Sequence, residues 1–394
     1  MHNRAARSNS AFCLLMLCAA LVPTAQSQNP GLAIEYPNPE VVHSLQTSAM
    51  RIQIGPGDGV DFHRIAAILP LKNGGFVVVN AGTSELLFFE ASGDLSSSVG
   101  RSGAGPGEYS YIRDVALLTG DSILVFDTDA RRISVLDPQG AFVRSFPLTS
   151  PFEGGGSPTS MTALRDGTVL VGYSEIRAMA PHPDPVYFGQ RLFRYSTTGV
   201  LSSSNGLSLP ESEHFVQAVP PSMGGVAYWG LAFGRRLTIR ADSSWILTGD
   251  GTDWTVEQRT PEGVIANTHR LTRSTEPVTA QDRQLYRRRI LAASQPTQRA
   301  VAERMVRDMP YPQSKPAYRR FEVDELGRLW LEAYSLQSDS GALWIRLDRR
   351  ASHAVAVQLP PRFRAFAFTA NFVYGVWRDS DDVEQVQVFA LEQF

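Results

Sequence analysis

The run FVVVN (Phe76–Asn80) followed by ELLFFEASG (Glu85–Gly93) returns further along as ILVFD (Ile123–Asp127) followed by RISVLDPQG (Arg132–Gly140). In each copy a short β-branched or aromatic run, of the kind buried on both faces of a sheet, leads into a nine-residue strand that ends at glycine. One strand pair has been reused, and self-similarity of this kind marks a repeat architecture. The nine-residue segment recurs as RLFRYSTTG (Arg191–Gly199), TVEQRTPEG (Thr255–Gly263), LWIRLDRRA (Leu343–Ala351) and VQVFALEQF (Val386–Phe394), six copies in all. The paired runs are VLVGY at Val171, WILTG at Leu247, LWLEA at Leu331 and VYGVW at Val376.

Ahead of each pair lies a further strand, as in IAAIL from Ile65, VALL from Val115, LTIRA from Leu237, FEVDE from Phe321 and FAFTA from Phe366. After the glycine comes a fourth, as in AFVRSFPL from Ala141 or VIANTHRL from Val264. Four antiparallel strands make one propeller blade, so the expected fold is all-β, a six-bladed β-propeller. The sixth unit stops after its third strand and would leave an open edge, a site for unwanted pairing. Val41–Ile54 reads as an unassigned strand at the other end, and the expectation is that it completes the last blade and closes the ring.

Met1–Ser27 carries Arg4 and Arg7, an apolar run from Ala11 to Val22 and the small-residue stretch Ala25-Gln26-Ser27, the pattern of a secretory signal peptide. The expected division is residues 1–27 as leader and 28–394 as one propeller, exported to a periplasm or the medium. Both cysteines, Cys13 and Cys18, fall in the leader, which leaves the remainder without disulfide, thiol nucleophile or cysteine metal site. Losing Arg4 and Arg7 takes the formal charge from −2 to −4. That near-neutral balance argues against a nucleic-acid partner, and no segment offers the roughly 20 apolar residues of a membrane span. Oligomeric state is not legible.

Repeat spacing is uneven because of insertions. The largest, about 274–315, is rich in helix formers; Thr279 with Asp282 reads as a capping box, Tyr286/Ile290 and Val301/Met305/Met309 fall at helical spacing, and Pro296 separates two helices. A second, Glu175–Gln190, is proline-rich and reads as a loop.

The chain resembles exported bacterial six-bladed propellers of the NHL-like (TolB-like) type. The residues that carry the likeness are Gly103-Ala104-Gly105-Pro106-Gly107-Glu108-Tyr109 between blades, Asp127-Thr128-Asp129-Ala130-Arg131-Arg132-Ile133 at a strand turn, and Val323-Asp324-Glu325-Leu326-Gly327-Arg328-Leu329-Trp330. The family's turn usually has Asn where Ala130 stands. These motifs shape turns, and the fold hosts lactonases, lyases, sensors and binding platforms alike.

Candidate chemistry is sparse. The loop Gly103–Gly107 is followed by a strand rather than by the helix a phosphate cradle needs. His43, His63, His182, His214, His269 and His353 show no metal-ligand spacing, and no G-x-S-x-G elbow occurs. No cofactor and no metal ligand is therefore assigned. Asp114, Asp127, Asp137, Asp324 and Asp348 are candidates for calcium or, more simply, for turn support. Tyr228, Trp229 and Phe233 suit either core or a sugar-stacking surface.

The most suggestive pattern is arginine at the start of the inner strands: Arg64, Arg113, Arg236, Arg320 and Arg364. Equivalent positions of a propeller converge on the channel mouth, where such guanidiniums would capture a carboxylate or phosphate. The alternative is that they bond carboxylates of neighbouring blades. The helical insertion adds further arginines and would act as a lid if folded over that mouth. The functional expectation is a binding module for an anionic small molecule, glycan or peptide; the competing one, implied by the resemblance, is a metal-dependent hydrolase, lactonase or lyase of the gluconolactonase-like type.

Overall fold

A computed structural model describes residues 31–391, apart from short stretches at 153–155, 165, 176–180, 203–205, 243 and 337–340. The leader read at 1–27 lies outside the described residues. Six separate sheets follow one another, each starting at an inner strand: Ile65–Pro70, Ile112–Leu117, Pro158–Ala163, Thr238–Asp242, Tyr318–Val323 and Phe363–Phe368, here blades 1 to 6. Each inner strand touches the next, and the inner strand of blade 6 touches that of blade 1.

The repeated apolar run is the second strand of each blade, and its alternation explains why it is apolar throughout. In Phe76–Asn80 every residue is buried. Val77 and Val79 enter a core shared with Ile112, Ile123 and Val125 of blade 2, whereas Phe76 and Val78 enter one shared with Tyr374, Val376 and Val386 of blade 6. A strand sandwiched between two neighbours has no solvent face, so both of its period-2 faces must be apolar. Six such cores occur, one between each adjacent pair of blades, and they close the ring. The outermost strand of blade 1, Leu95–Val99, is by contrast almost wholly exposed.

The recurring glycine has a double cause. Gly93 and Gly140 adopt φ of 95° and 87°, and a Cβ there would lie 2.8 Å from Ile52 and 2.7 Å from Phe88 of the preceding blade. Each repeat therefore turns in the left-handed region while pressed against its neighbour, which only glycine allows without strain. In the fifth copy, where Ala351 replaces glycine, Ser352 takes the positive φ (48°).

The amino-terminal segment is more elaborate than the single strand expected over Val41–Ile54. It runs along the outer rim of three blades. Leu32–Tyr36 adds a parallel fifth strand to blade 4, and Val42–Ser44 adds one to blade 5. Met50–Ile54 then pairs antiparallel with Glu384–Ala390 and completes blade 6. The fully buried Tyr36 anchors the arm through a 2.9 Å hydrogen bond between its hydroxyl and His269 Nδ1.

Blade 3 corrects the reading of Glu175–Gln190 as a loop. Val169–Glu175 and His182–Tyr195 are strands, and with the inner strand Pro158–Ala163, Leu207–Ala218 and Val226–Gly230 they make a long five-stranded blade. Prolines in the region suggested a loop, but this extension projects past the blade body, where missing ladder donors are tolerated. The helical insertion forms as read: α1 (Ala280–Ala293) carries the Thr279/Asp282 capping box, and α2 (Arg299–Asp308) buries Val301, Ala302, Met305 and Val306. Met305 and Val306 pack with Phe215 of blade 3 and with Leu231 and Phe233 just past its last strand, which decides Phe233 as core.

Candidate functional site in the axial channel

All six inner strands line an axial channel comprising two joined cavities of about 940 and 610 Å³. Most inner strands repeat a pattern of two buried residues three apart with two accessible ones between, as in Ile65/Ile68, Pro158/Met161, Tyr318/Phe321 and Ala365/Phe368. Between the first buried residue and the next paired one the ladder of blades 1, 2, 3 and 5 slips by a bulge. A bulge re-aims side chains, and it turns the following position toward the channel. Asp114, Ser160 and Arg320 occupy that position in blades 2, 3 and 5; in blade 4, whose inner ladder runs without a bulge, Arg240 stands two residues past the first buried residue, Thr238.

This register corrects the expectation that the five arginines are equivalent. Arg64 and Arg364 lie one residue before the first buried position, Arg113 one after it, Arg320 two after it and Arg236 two before it. Arg113, Arg320 and Arg364 nevertheless line both cavities. Arg64 lines the smaller one, donating to the Ala81 carbonyl at 2.7 Å and lying 4.5 Å over the Tyr111 ring. Arg236 lines neither; its charge acts on His214, Tyr286 and Tyr334 beneath the helical insertion. Arg240, which sequence reasoning passed over because it stands mid-strand, takes its place.

The waist of the channel divides its arginines into paired and unpaired. Arg240 of blade 4 makes a bidentate pair with Glu322 of blade 5, both contacts at 2.6 Å. Arg320 donates to Glu332 at 2.7 Å, to Glu322 at 3.1 Å and to the Ala365 carbonyl of blade 6 at 2.6 Å. These two arginines thus act as blade-to-blade ties. Arg113 has no hydrogen bond or ion pair among the described residues, and Arg364 has only the Phe366 ring, 4.8 Å from its guanidinium.

Ionisation follows the same division. Burial works against the Glu322 charge, but Arg240 and Arg320 hold its carboxyl below the usual range. Burial pushes Asp114 up to about 6 despite the backbone N–H of Met161 at 3.0 Å and the nearby Arg240 and Arg113. Burial also raises Glu211, which Arg113 opposes. Arg364 is shifted down by burial and by its neighbour Arg320, with Glu332 and Glu384 opposing the shift. The smaller cavity sets five guanidiniums against the carboxylates of Asp114 and Glu211.

The remaining candidates serve the fold. Asp127 is fully buried and accepts from the backbone N–H groups of Ser110, Tyr111 and Ala130; Asp137 accepts from Gln139 and Ala141, Asp348 from Arg350, and Asp324 from Leu326, Arg328 and the Trp330 indole. Among the described residues no three His, Cys, Asp or Glu side chains come together as a metal site. His269 is held between Tyr36 and Gln258, with burial taking it down to about 4.

Residues 57–148, which span blades 1 and 2, match the model of a family described as a 6-bladed beta-propeller. No curated protein matches the chain. Among solved structures, a candidate exported protein of Bacteroides fragilis NCTC 9343 is 13% identical, with 92% of this chain and 100% of that one covered and a TM-score of 0.51. A member of the duf4221 family from Bacteroides vulgatus ATCC 8482 is 10% identical over 87% and 97%, with a TM-score of 0.49. Virginiamycin B lyase of Staphylococcus aureus is 9% identical over 86% and 98%, at 0.42. The chain is a six-bladed β-propeller, similar in fold to the Bacteroides fragilis protein, and at such identity the likeness concerns fold alone. No helix among the described residues is long and apolar enough to cross a membrane.

Proposed function

We propose that the protein is an exported binding module that takes an anionic ligand, a small molecule or the acidic end of a glycan or peptide, into its axial channel. One observation carries the reading: Arg113 and Arg364 reach a channel lined by all six blades without a carboxylate partner, while Arg240 and Arg320 beside them are paired. Guanidiniums that reach a channel without a direct ion pair favour a bound anion, since charge-assisted hydrogen bonds to an oxyanion are stronger than neutral ones. The leader pattern at 1–27 supports export. The competing metal-dependent hydrolase or lyase would need a divalent cation in the channel, and of the carboxylates lining it Asp114, Glu211 and Glu322 each have a guanidinium close enough to repel one, while Glu325 accepts from the Ala370 backbone N–H.

The test is isothermal calorimetry with citrate and inorganic phosphate at low ionic strength, on the wild type and on Arg113→Ala plus Arg364→Ala. The reading expects wild-type binding that the double variant loses by about tenfold or more, roughly one charge-assisted interaction per residue. Equal affinity in both proteins would refute it.

A further inference from the structure

A third cavity, of about 320 Å³, opens from the channel between blades 5 and 6, and Arg320 and Arg364 line both. Its remaining charged wall comes from three separate parts of the chain. Arg289 is contributed by α1, Arg319 by the inner strand of blade 5, and Arg362 by the turn leading into the inner strand of blade 6. Five guanidiniums thus face one another with a single carboxylate among them, Glu332.

That carboxylate is already occupied, accepting from Arg320 at 2.7 Å and lying 3.7 Å from Arg319. Arg289 and Arg362 make no hydrogen bond or ion pair among the described residues. The Trp344 indole, in the wall beneath Arg320, is fully buried, and its Nε1–H has no acceptor. The cleft therefore offers donors in excess and almost no free acceptor. A carboxylate has two oxygens and is satisfied by one or two guanidinium forks. The unpaired forks of Arg289 from a helix and Arg362 from a turn, joined by Arg319 from a strand, which already donates to the Ser335 carbonyl at 2.8 Å, suit a group that presents oxygens in three directions.

We propose that this cleft is a second anion subsite, built for a tetrahedral oxyanion such as a phosphate or sulfate monoester, so that the channel ligand carries two acidic groups. The inference rests on the channel reading for the ligand's other charge. The cleft itself stands apart, because Arg289, Arg319 and Arg362 line it and not the channel. It also gives the helical insertion a role narrower than a lid: α1 delivers Arg289 to one wall.

The experiment titrates inorganic phosphate, sulfate and acetate by calorimetry into the wild type, into Arg289→Ala plus Arg362→Asn, and into Arg113→Ala. Asparagine is chosen at 362 because that residue has φ of 61°. Arg289→Glu, on the exposed face of α1, is the second variant should the first fold poorly. Phosphate and sulfate should bind the wild type more tightly than acetate, and the cleft variants should weaken phosphate by about tenfold or more. Loss in Arg113→Ala alone would overturn the cleft and leave the channel reading standing. Loss in the cleft variants alone would keep the cleft and remove the channel reading. Acetate binding as well as phosphate would overturn the tetrahedral class, and no phosphate binding at all would overturn both proposals.

Discussion

Replacing Glu322 by glutamine should destabilise the protein while tightening its hold on anions, two effects of opposite sign from one atom change. Glu322 is the partner of Arg240 and shares Arg320 with Glu332, so the neutral amide leaves Arg240 without its ion-pair partner and with only the more distant Asp114 as counter-charge. Breaking a fully buried pair costs about 3–5 kcal/mol. The Arg240 side chain is 36% exposed and that of Glu322 13%, so solvent screening reduces the expected cost to about 2–3 kcal/mol. Unfolding entropy for a domain of this size is roughly 0.75 kcal/mol/K, which converts that cost to a melting-temperature drop of about 3–4 °C. The same substitution removes one negative charge from the channel wall. At an effective dielectric near 20 the relief is about 1 kcal/mol after screening, or about fivefold in anion affinity. Differential scanning calorimetry and phosphate titration of the same sample read both. An unchanged melting temperature would refute the tie between blades 4 and 5, and weaker anion binding would refute the charge balance ascribed to the channel.

Three further outcomes are expected. Asp114→Asn should raise stability at neutral pH: the folded carboxyl titrates at about 6, above its unfolded value, so its contribution is lost as pH rises from about 4 to about 6, and removing it recovers about 2–3 kcal/mol above that window but nothing at pH 4. Wild-type anion binding should strengthen as pH falls through 6 and protonates Asp114, a dependence absent from the variant; thermal melts and titrations at pH 4 to 8 check both. Gly140→Ala should cost about 1–2 kcal/mol in chemical denaturation, because its φ of 87° is left-handed and the new Cβ would meet Phe88, whereas Ala351→Gly, where no such strain exists, should stay within about 0.5 kcal/mol. Truncation to residue 44 should leave a soluble, less stable protein, while truncation to residue 54 strips Glu384–Ala390 of its partner and should aggregate on size-exclusion chromatography.

The fold was legible where burial and turn geometry repeat. FVVVN and its copies are apolar on both faces because two neighbouring blades enclose each, and the glycines recur because the same φ and the same close approach recur. The rim strands Leu32–Tyr36 and Val42–Ser44 were missed because they are short and exposed, held by backbone pairing that leaves no side-chain pattern. At the site, counting arginines near strand starts found Arg113, Arg320 and Arg364 in one channel. It placed Arg236 there wrongly and overlooked Arg240, because the positions that face the channel are set by each inner strand's register against its partner strand, which differs from blade to blade. Which guanidinium is neutralised depends on acids far away in the chain, as Glu322 is from Arg240, and spacing does not carry that information.

The account turns on Arg113 and Arg364 being open to an anion inside the ring, and crystals soaked in selenate report on this directly through anomalous scattering. The expected result is a selenium peak within hydrogen-bonding reach of both guanidiniums, absent from Arg113→Ala plus Arg364→Ala. A channel without a peak, in crystals whose exposed arginines do bind selenate, would contradict it.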